Sequence, residues 1–109
     1  MNWTLKYLPE VEKDLKQLSG NQRILVQKAI KKVIVNPLPV NEGGYGKPLG
    51  NKRNTDLTGL LKIKLKNAGI RIVYKLIRTK TEMLIIVVGA RTDNDVYEAV
   101  QHRADKHNL

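Results

Sequence analysis

Leu61-Lys62-Ile63-Lys64-Leu65-Lys66 alternates apolar and basic residues with a period of two, the pattern of a half-buried β-strand. Asn67-Ala68-Gly69 supplies turn residues, and Ile70 to Arg78 alternates again. The two segments predict a β-hairpin with a short loop. Only one register parity buries Leu61, Ile63 and Leu65 together with Ile70, Ile72, Tyr74 and Leu76, because a slip of one residue turns a strand over. That parity places Lys62, Lys64 and Lys66 on the same outer face as Arg71 and Lys75. From Leu57 to Thr81 there are seven Lys or Arg and no Asp or Glu. A cationic sheet face of this kind suits an extended anionic ligand.

Outward from the hairpin, Met83 to Val88 is apolar on both faces, so a central strand is expected. Gly89-Ala90-Arg91 carries it to the sheet edge. Thr92 or Asp93 then caps a last helix from Asn94 to about Asp105. Toward the N-terminus, Asn2 to Leu8 reads as a first strand. Pro9 suits the first turn of a helix, and Glu10 and Glu12 suit its dipole. Leu8, Val11, Leu15 and Leu18 form that helix's apolar stripe, and Gly20 is its expected C-terminal cap. Asn21 is the expected cap of a second helix that buries Leu25, Val26, Ala29, Ile30, Val33 and Ile34. Asn36-Pro37 stops it. A very short link makes the two helices an antiparallel hairpin. Residues 37–58, rich in Pro and Gly, read as a surface loop. The expected order is β-α-α-β-β-β-α: an α+β fold, with a small antiparallel-rich sheet, an N-terminal helical hairpin and a C-terminal helix. Residues 1–109 are expected to form a single domain.

Composition narrows the partners. Twenty Lys plus Arg against ten Asp plus Glu give a net charge of +10, with a pI near 10.0. Nucleic acid, an anionic membrane surface or an acidic protein would each complement that charge. The longest apolar run, Met83 to Ala90, is too short to span a bilayer, and Met1-Asn2-Trp3-Thr4 lacks a secretory pattern. No cysteine is present, which removes disulfides and thiolate metal sites. A cytoplasmic protein without membrane partners is expected.

Familiar catalytic signatures are missing: no Gly-rich phosphate loop, nucleophile elbow or paired-carboxylate motif occurs. His102 and His107 lie five apart near the C-terminus and read as solvated, so no metal site is expected. Taken singly, the basic residues have ordinary explanations. Alternating lysines are commonly a wet strand face or edge protection. An arginine such as Arg91, where a strand emerges before a helix, can simply cap or form a salt bridge, and Tyr97 can be core.

Their order is far more specific. Leu61-Lys62-Ile63-Lys64-Leu65, Gly69-Ile70-Arg71-Ile72-Val73-Tyr74, Val88-Gly89-Ala90-Arg91 and Asp95-Val96-Tyr97 follow one another. This succession resembles the RelE toxins of the RelE/ParE superfamily, the ribosome-dependent messenger-RNA interferases of type II toxin–antitoxin pairs. Leu15-x-x-Leu18 and Asn36-Pro37 match in pattern only, and the 37–58 loop is longer than usual there. The resemblance implies a toxin that cuts messenger RNA in the ribosomal A site, close to 16S rRNA. It also implies a cognate antitoxin, contact with operator DNA only through that antitoxin, and no cofactor.

By position, Lys62, Lys64, Arg71, Arg91 and Tyr97 keep the RelE residue types and would be catalytic. Lys64 would be the base, Lys62 and Arg71 phosphate stabilisers, Arg91 the leaving-group stabiliser or acid, and Tyr97 the substrate-positioning group. Lys66 and Lys75 would bind RNA. RNA brings its own nucleophile, the 2′-hydroxyl, so a metal-independent endoribonuclease needs alignment, charge neutralisation and two proton transfers. Arginine offers phosphate a planar bidentate contact. Three alternatives remain: a ParE-like gyrase inhibitor, a non-catalytic RNA- or ribosome-binding module, and a housekeeping structural domain.

Overall fold

The computed structural model describes residues 2–52, 55–90 and 93–109. Its elements run β1 (Thr4–Tyr7), α1 (Pro9–Lys16), α2 (Gly20–Val33), β2 (Lys47–Lys52), β3 (Thr55–Leu65), β4 (Ile70–Ile77), β5 (Glu82–Gly89) and α3 (Asp93–Lys106). The strands form a five-stranded sheet in the order β1-β5-β4-β3-β2. β1 pairs parallel with β5, and the other neighbours are antiparallel.

The hairpin has the expected parity. Leu61 faces Tyr74, Ile63 faces Ile72 and Leu65 faces Ile70, while Lys64 faces Arg71 on the other side of the sheet. The turn is a short 3-10 segment, Lys66–Ala68, closed by Gly69 at φ 65. This left-handed conformation is one glycine adopts without Cβ strain. Lys66 therefore belongs to the turn rather than to the cationic strand face expected for it.

The sheet is larger than the alternation suggested. Its first hairpin strand begins at Thr55 rather than Leu61, and β2 runs antiparallel beside it with Lys47 opposite Lys62. Part of the expected 37–58 surface loop is therefore sheet. Proline and glycine break the period-two pattern in Lys47-Pro48-Leu49-Gly50-Asn51-Lys52, yet an edge strand tolerates both. Leu49 still reaches the core, 2% exposed.

The helix boundaries also differ. α1 ends at Lys16, and Ser19, not Asn21, caps α2. The Ser19 hydroxyl accepts from the Gln22 amide at 3.2 Å, and the Gln22 side chain accepts from the Ser19 amide at 2.9 Å. This capping box makes Gly20 the first residue of α2 rather than the cap of α1. Val26, Ile30 and Val33 are buried as expected, but Leu25 is 46% exposed.

Both faces of β4 and β5 are covered. Tyr74, Ile72 and Ile85 are buried, and so are Val73 and Val87, together with Val96 and Val100 of α3. The Tyr74 hydroxyl donates to the Pro37 carbonyl at 2.7 Å, and burial pushes its pKa well above the usual tyrosine value. The β4–β5 register shifts at Val73/Tyr74, leaving Ile86 out of the ladder. β1 stops near this point, where the Leu8 amide donates to Ile85. Beyond it, one side-chain pair takes over β5's edge. Asp14 of α1 accepts from the Val88 amide at 3.0 Å, and Arg103 of α3 donates to the Ile86 carbonyl at 2.8 Å. The two side chains also bind each other at 2.6 and 2.9 Å. α1, β5 and α3 thus meet in one sealed contact.

Candidate functional site

Strand pairing sets the site. Lys64 of β3 stands directly opposite Arg71 of β4, and Arg71 stands opposite Gly89 of β5. The row crosses three strands and carries two cations, with no side chain at its third position. Neighbouring like charges directly opposite each other on a sheet destabilise it by about 0.2–1 kcal/mol. Lys62 lies on the same face, opposite Val73. Its ammonium donates to the Tyr97 hydroxyl at 3.2 Å and stands 5.8 Å from that ring's centroid. Tyr97 is half-buried, so α3 presents it to the row with one edge in the core.

Four of the five expected catalytic residues, Lys62, Lys64, Arg71 and Tyr97, therefore gather on one face. The fifth, Arg91, lies outside the described residues, as does Thr92, one of the two expected helix caps; the other, Asp93, is the first residue of α3. Lys75 shares the face but sits opposite Leu60, four residues from Arg71 and so about 13 Å along the strand. Lys66 lies in the turn, exposed.

The histidines divide. His102 is exposed. His107 is half-buried, with Nε2 at 3.0 Å from both carboxylate oxygens of Glu10, so the expectation of a solvated side chain fails there. Lys106 adds a 3.5 Å contact to Glu10. The hydrogen bond from His107, chiefly, brings the Glu10 pKa down to about 2. The start of α1 and the end of α3 meet at this point, a proximity that only the fold creates. Among the described residues no group of three His, Cys, Asp or Glu could hold a metal ion, and no helix is long and apolar enough to cross a membrane.

Asp14 and Arg103, which seat α3 and hence Tyr97, were missing from the sequence-based set. Asp14 does carry a signal. It occupies an interior position of the Val11–Leu18 stripe, where a carboxylate needs a buried partner. Asp14 holds the Arg103 guanidinium above its ordinary pKa, mainly through their hydrogen bonds. No sequence pattern names Arg103 as that partner.

Chemically, two cations fixed in a cross-strand row can bind and neutralise a phosphodiester, with a phenol beside them to orient a sugar or stack on a base.

A scan of family models finds no match, and a search of curated proteins finds no relative. Solved structures do match. A mutant of the E. coli toxin RelE in the free state is 25% identical, with a TM-score of 0.70, over 94% of this chain and 98% of that one. The isolated E. coli RelE toxin is 26% identical, with a TM-score of 0.65, over 92% and 97%. The archaeal RelE–RelB complex from Pyrococcus horikoshii is 16% identical, with a TM-score of 0.59, over 85% and 99%, and shows the shared fold.

Proposed function

We propose that this chain, which has the fold of the RelE toxins, is the toxin of a type II toxin–antitoxin pair and cuts messenger RNA on the ribosome. One observation carries the reading: Lys64 stands directly opposite Arg71, with Lys62 on the same face bonded to Tyr97 at 3.2 Å. A phosphodiester laid across that row would meet cations and a phenol together.

In the proposed reaction the 2′-hydroxyl oxygen attacks the adjacent phosphorus in line. Lys64, reacting in its amine form, takes the hydroxyl proton and becomes an ammonium. Lys62 and Arg71 neutralise the charge that builds on the non-bridging oxygens. The bond from phosphorus to the 5′ oxygen breaks, and Arg91 stabilises or protonates that leaving oxygen. The products are a 2′,3′-cyclic phosphate and a 5′-hydroxyl. Tyr97 orients the nucleotide. Lys75 extends phosphate contact along β4, and Lys66 adds charge at the turn. The solved neighbours include RelE bound to an antitoxin peptide and an archaeal RelE–RelB complex. We assign this chain an antitoxin partner of complementary, acidic character.

The test is cleavage of a message on programmed ribosomes. The expected result is cutting of the all-ribose message and binding without cutting when the 2′-hydroxyl 5′ of the cut is replaced by hydrogen. Cutting of the deoxy message would remove the in-line mechanism. Efficient cutting of free message at low enzyme concentration would remove the ribosome from the reading.

A further inference from the structure

We propose that residues 36–47 and α2 build a nucleotide-binding subsite next to the cationic row. There a base of a single RNA strand stacks on Tyr45 while its phosphates lie against Lys28, Lys32 and Lys47. That the strand is RNA rests on the ribonuclease reading.

The segment is built as a rigid mount. The Tyr45 amide donates to the Asn36 carbonyl at 3.1 Å, Gly46 to Leu38 at 3.1 Å, and Val40 to Gly46 at 2.8 Å. The Asn36 side chain reaches the Gly43 carbonyl at 3.1 Å. Pro37 is buried and accepts from Tyr74. The backbone closes so tightly that a Cβ at Gly44 would strike the Leu38 carbonyl, and one at Gly46 would strike the Tyr74 hydroxyl. A mount this fixed nevertheless leaves the Tyr45 ring 50% exposed, with the Lys32 ammonium 5.4 Å from its centroid. A half-wet ring contributes little to folding, but one carried on a backbone fixed in advance binds a base at lower entropic cost.

Beside it lies a groove of about 440 Å³ between α2 and β3. Lys28, Lys32, Lys47, Lys62 and Lys64 line it together with Tyr45, and no Asp or Glu is among its described lining residues. Leu25 and Val33 form one wall, and Ile63 and Leu65 the other. The exposure of Leu25 acquires a role here. Lys62 and Lys64 belong to both the groove and the cationic row, so a strand entering one continues into the other. Lys47, opposite Lys62 across β2 and β3, bridges them. Spaced ammonium groups with one aromatic platform match a strand that carries a charge per nucleotide and a base to stack. An acidic peptide would use the lysines and the apolar walls but would leave the exposed ring without a purpose.

The test measures anisotropy of a labelled, non-cleavable 2′-O-methyl single strand at low salt, with cleavage on programmed ribosomes assayed in parallel. Tyr45→Ala is expected to weaken strand binding about 5- to 150-fold, and Tyr45→Phe to keep it. Lys47→Ala is expected to lower the log–log salt slope by about 0.7. Wild-type protein that fails to bind the strand, or Tyr45→Ala binding as tightly as wild type, overturns the subsite even if cleavage is robust. Tyr45-dependent binding without cleavage supports the subsite and removes the ribonuclease reading instead. An effect of Tyr45→Ala on an acidic amphipathic peptide but not on the strand overturns the proposal in favour of a protein ligand. A photoreactive phenylalanine placed at position 45 then separates two sources of the strand. A crosslink to message or to ribosomal RNA supports the subsite and names its occupant, and a crosslink to ribosomal protein alone overturns it.

Discussion

At its C-terminal end α3 holds Arg103 in a bidentate pair with Asp14, which is 4% exposed. Nearer its N-terminal end α3 lays Tyr97 against Lys62, beside the cross-strand pair Lys64 and Arg71. The first region matches each charge with its opposite and gives Ile86 and Val88 partners for their freed backbone groups. The second sets like charges side by side at the surface. One arrangement ties three elements together, and the other gathers cations beside a phenol. The difference separates side chains that join elements from those that the proposed function would use.

The largest expected effect tests the sealed region. Asp14→Ala leaves Arg103 buried without its acid and should cost about 3–5 kcal/mol, read from the denaturant midpoint. Replacing Asp14 and Arg103 together by Leu and Met should recover only part of that loss, because the Val88 amide and the Ile86 carbonyl stay without their partners. A single-mutant loss below about 1 kcal/mol would erase the contrast. The open region should respond in the opposite way. Lys64→Ala should slow cleavage on programmed ribosomes by about 10²–10⁴-fold while changing stability by no more than about 0.5 kcal/mol. Lys64→Arg should not restore the rate, since arginine keeps the charge but does not yield its proton. Full activity in the Arg variant would make Lys64 an electrostatic stabiliser rather than a base.

Tyr97→Phe removes the acceptor for the Lys62 ammonium. It should cost about 0.5–1.5 kcal/mol, measured by chemical denaturation, and an unchanged stability would place that contact among those that contribute nothing to the fold. The last effect is at Glu10. Its pKa falls from an ordinary 4.5 to about 2 in the folded state. The stabilisation is therefore complete above pH 4.5 and is lost as pH falls toward 2. Glu10→Gln should flatten that part of the stability profile, by about 1 kcal/mol for a half-buried pair screened by nearby solvent. An unchanged acid limb would show that the His107 contact does not bear on folding.

The hairpin was legible because period two and one buried face leave a single parity, and that parity alone put Lys62, Lys64, Arg71 and Lys75 on one face. β2 was not legible, since Pro48 and Gly50 interrupt the alternation and an edge strand needs little of it. Lys66 was assigned by counting along a strand that in fact had already turned. The Ser19 box was readable, with Gln22 three residues on, but Ser19-Gly20 looked like an ending. Arg103 and the Glu10–His107 contact depend on where α3 finishes relative to α1, a property of the assembled molecule and not of either segment. The mount for Tyr45 was hidden for a similar reason: Tyr74 and Pro37 meet only after the sheet forms.

The parallel pairing of β1 with β5 has a temporal consequence. Thr4 finds its partner at Glu82, and Asp14 finds its own at Val88 and Arg103. During synthesis the first strand and first helix therefore wait for β5 and α3 before their last bonds can close. Such distant pairings make a chain slow to complete. On the proposed function, the Lys64–Arg71 row forms early from neighbouring segments, and Tyr97 reaches it only when α3 is seated.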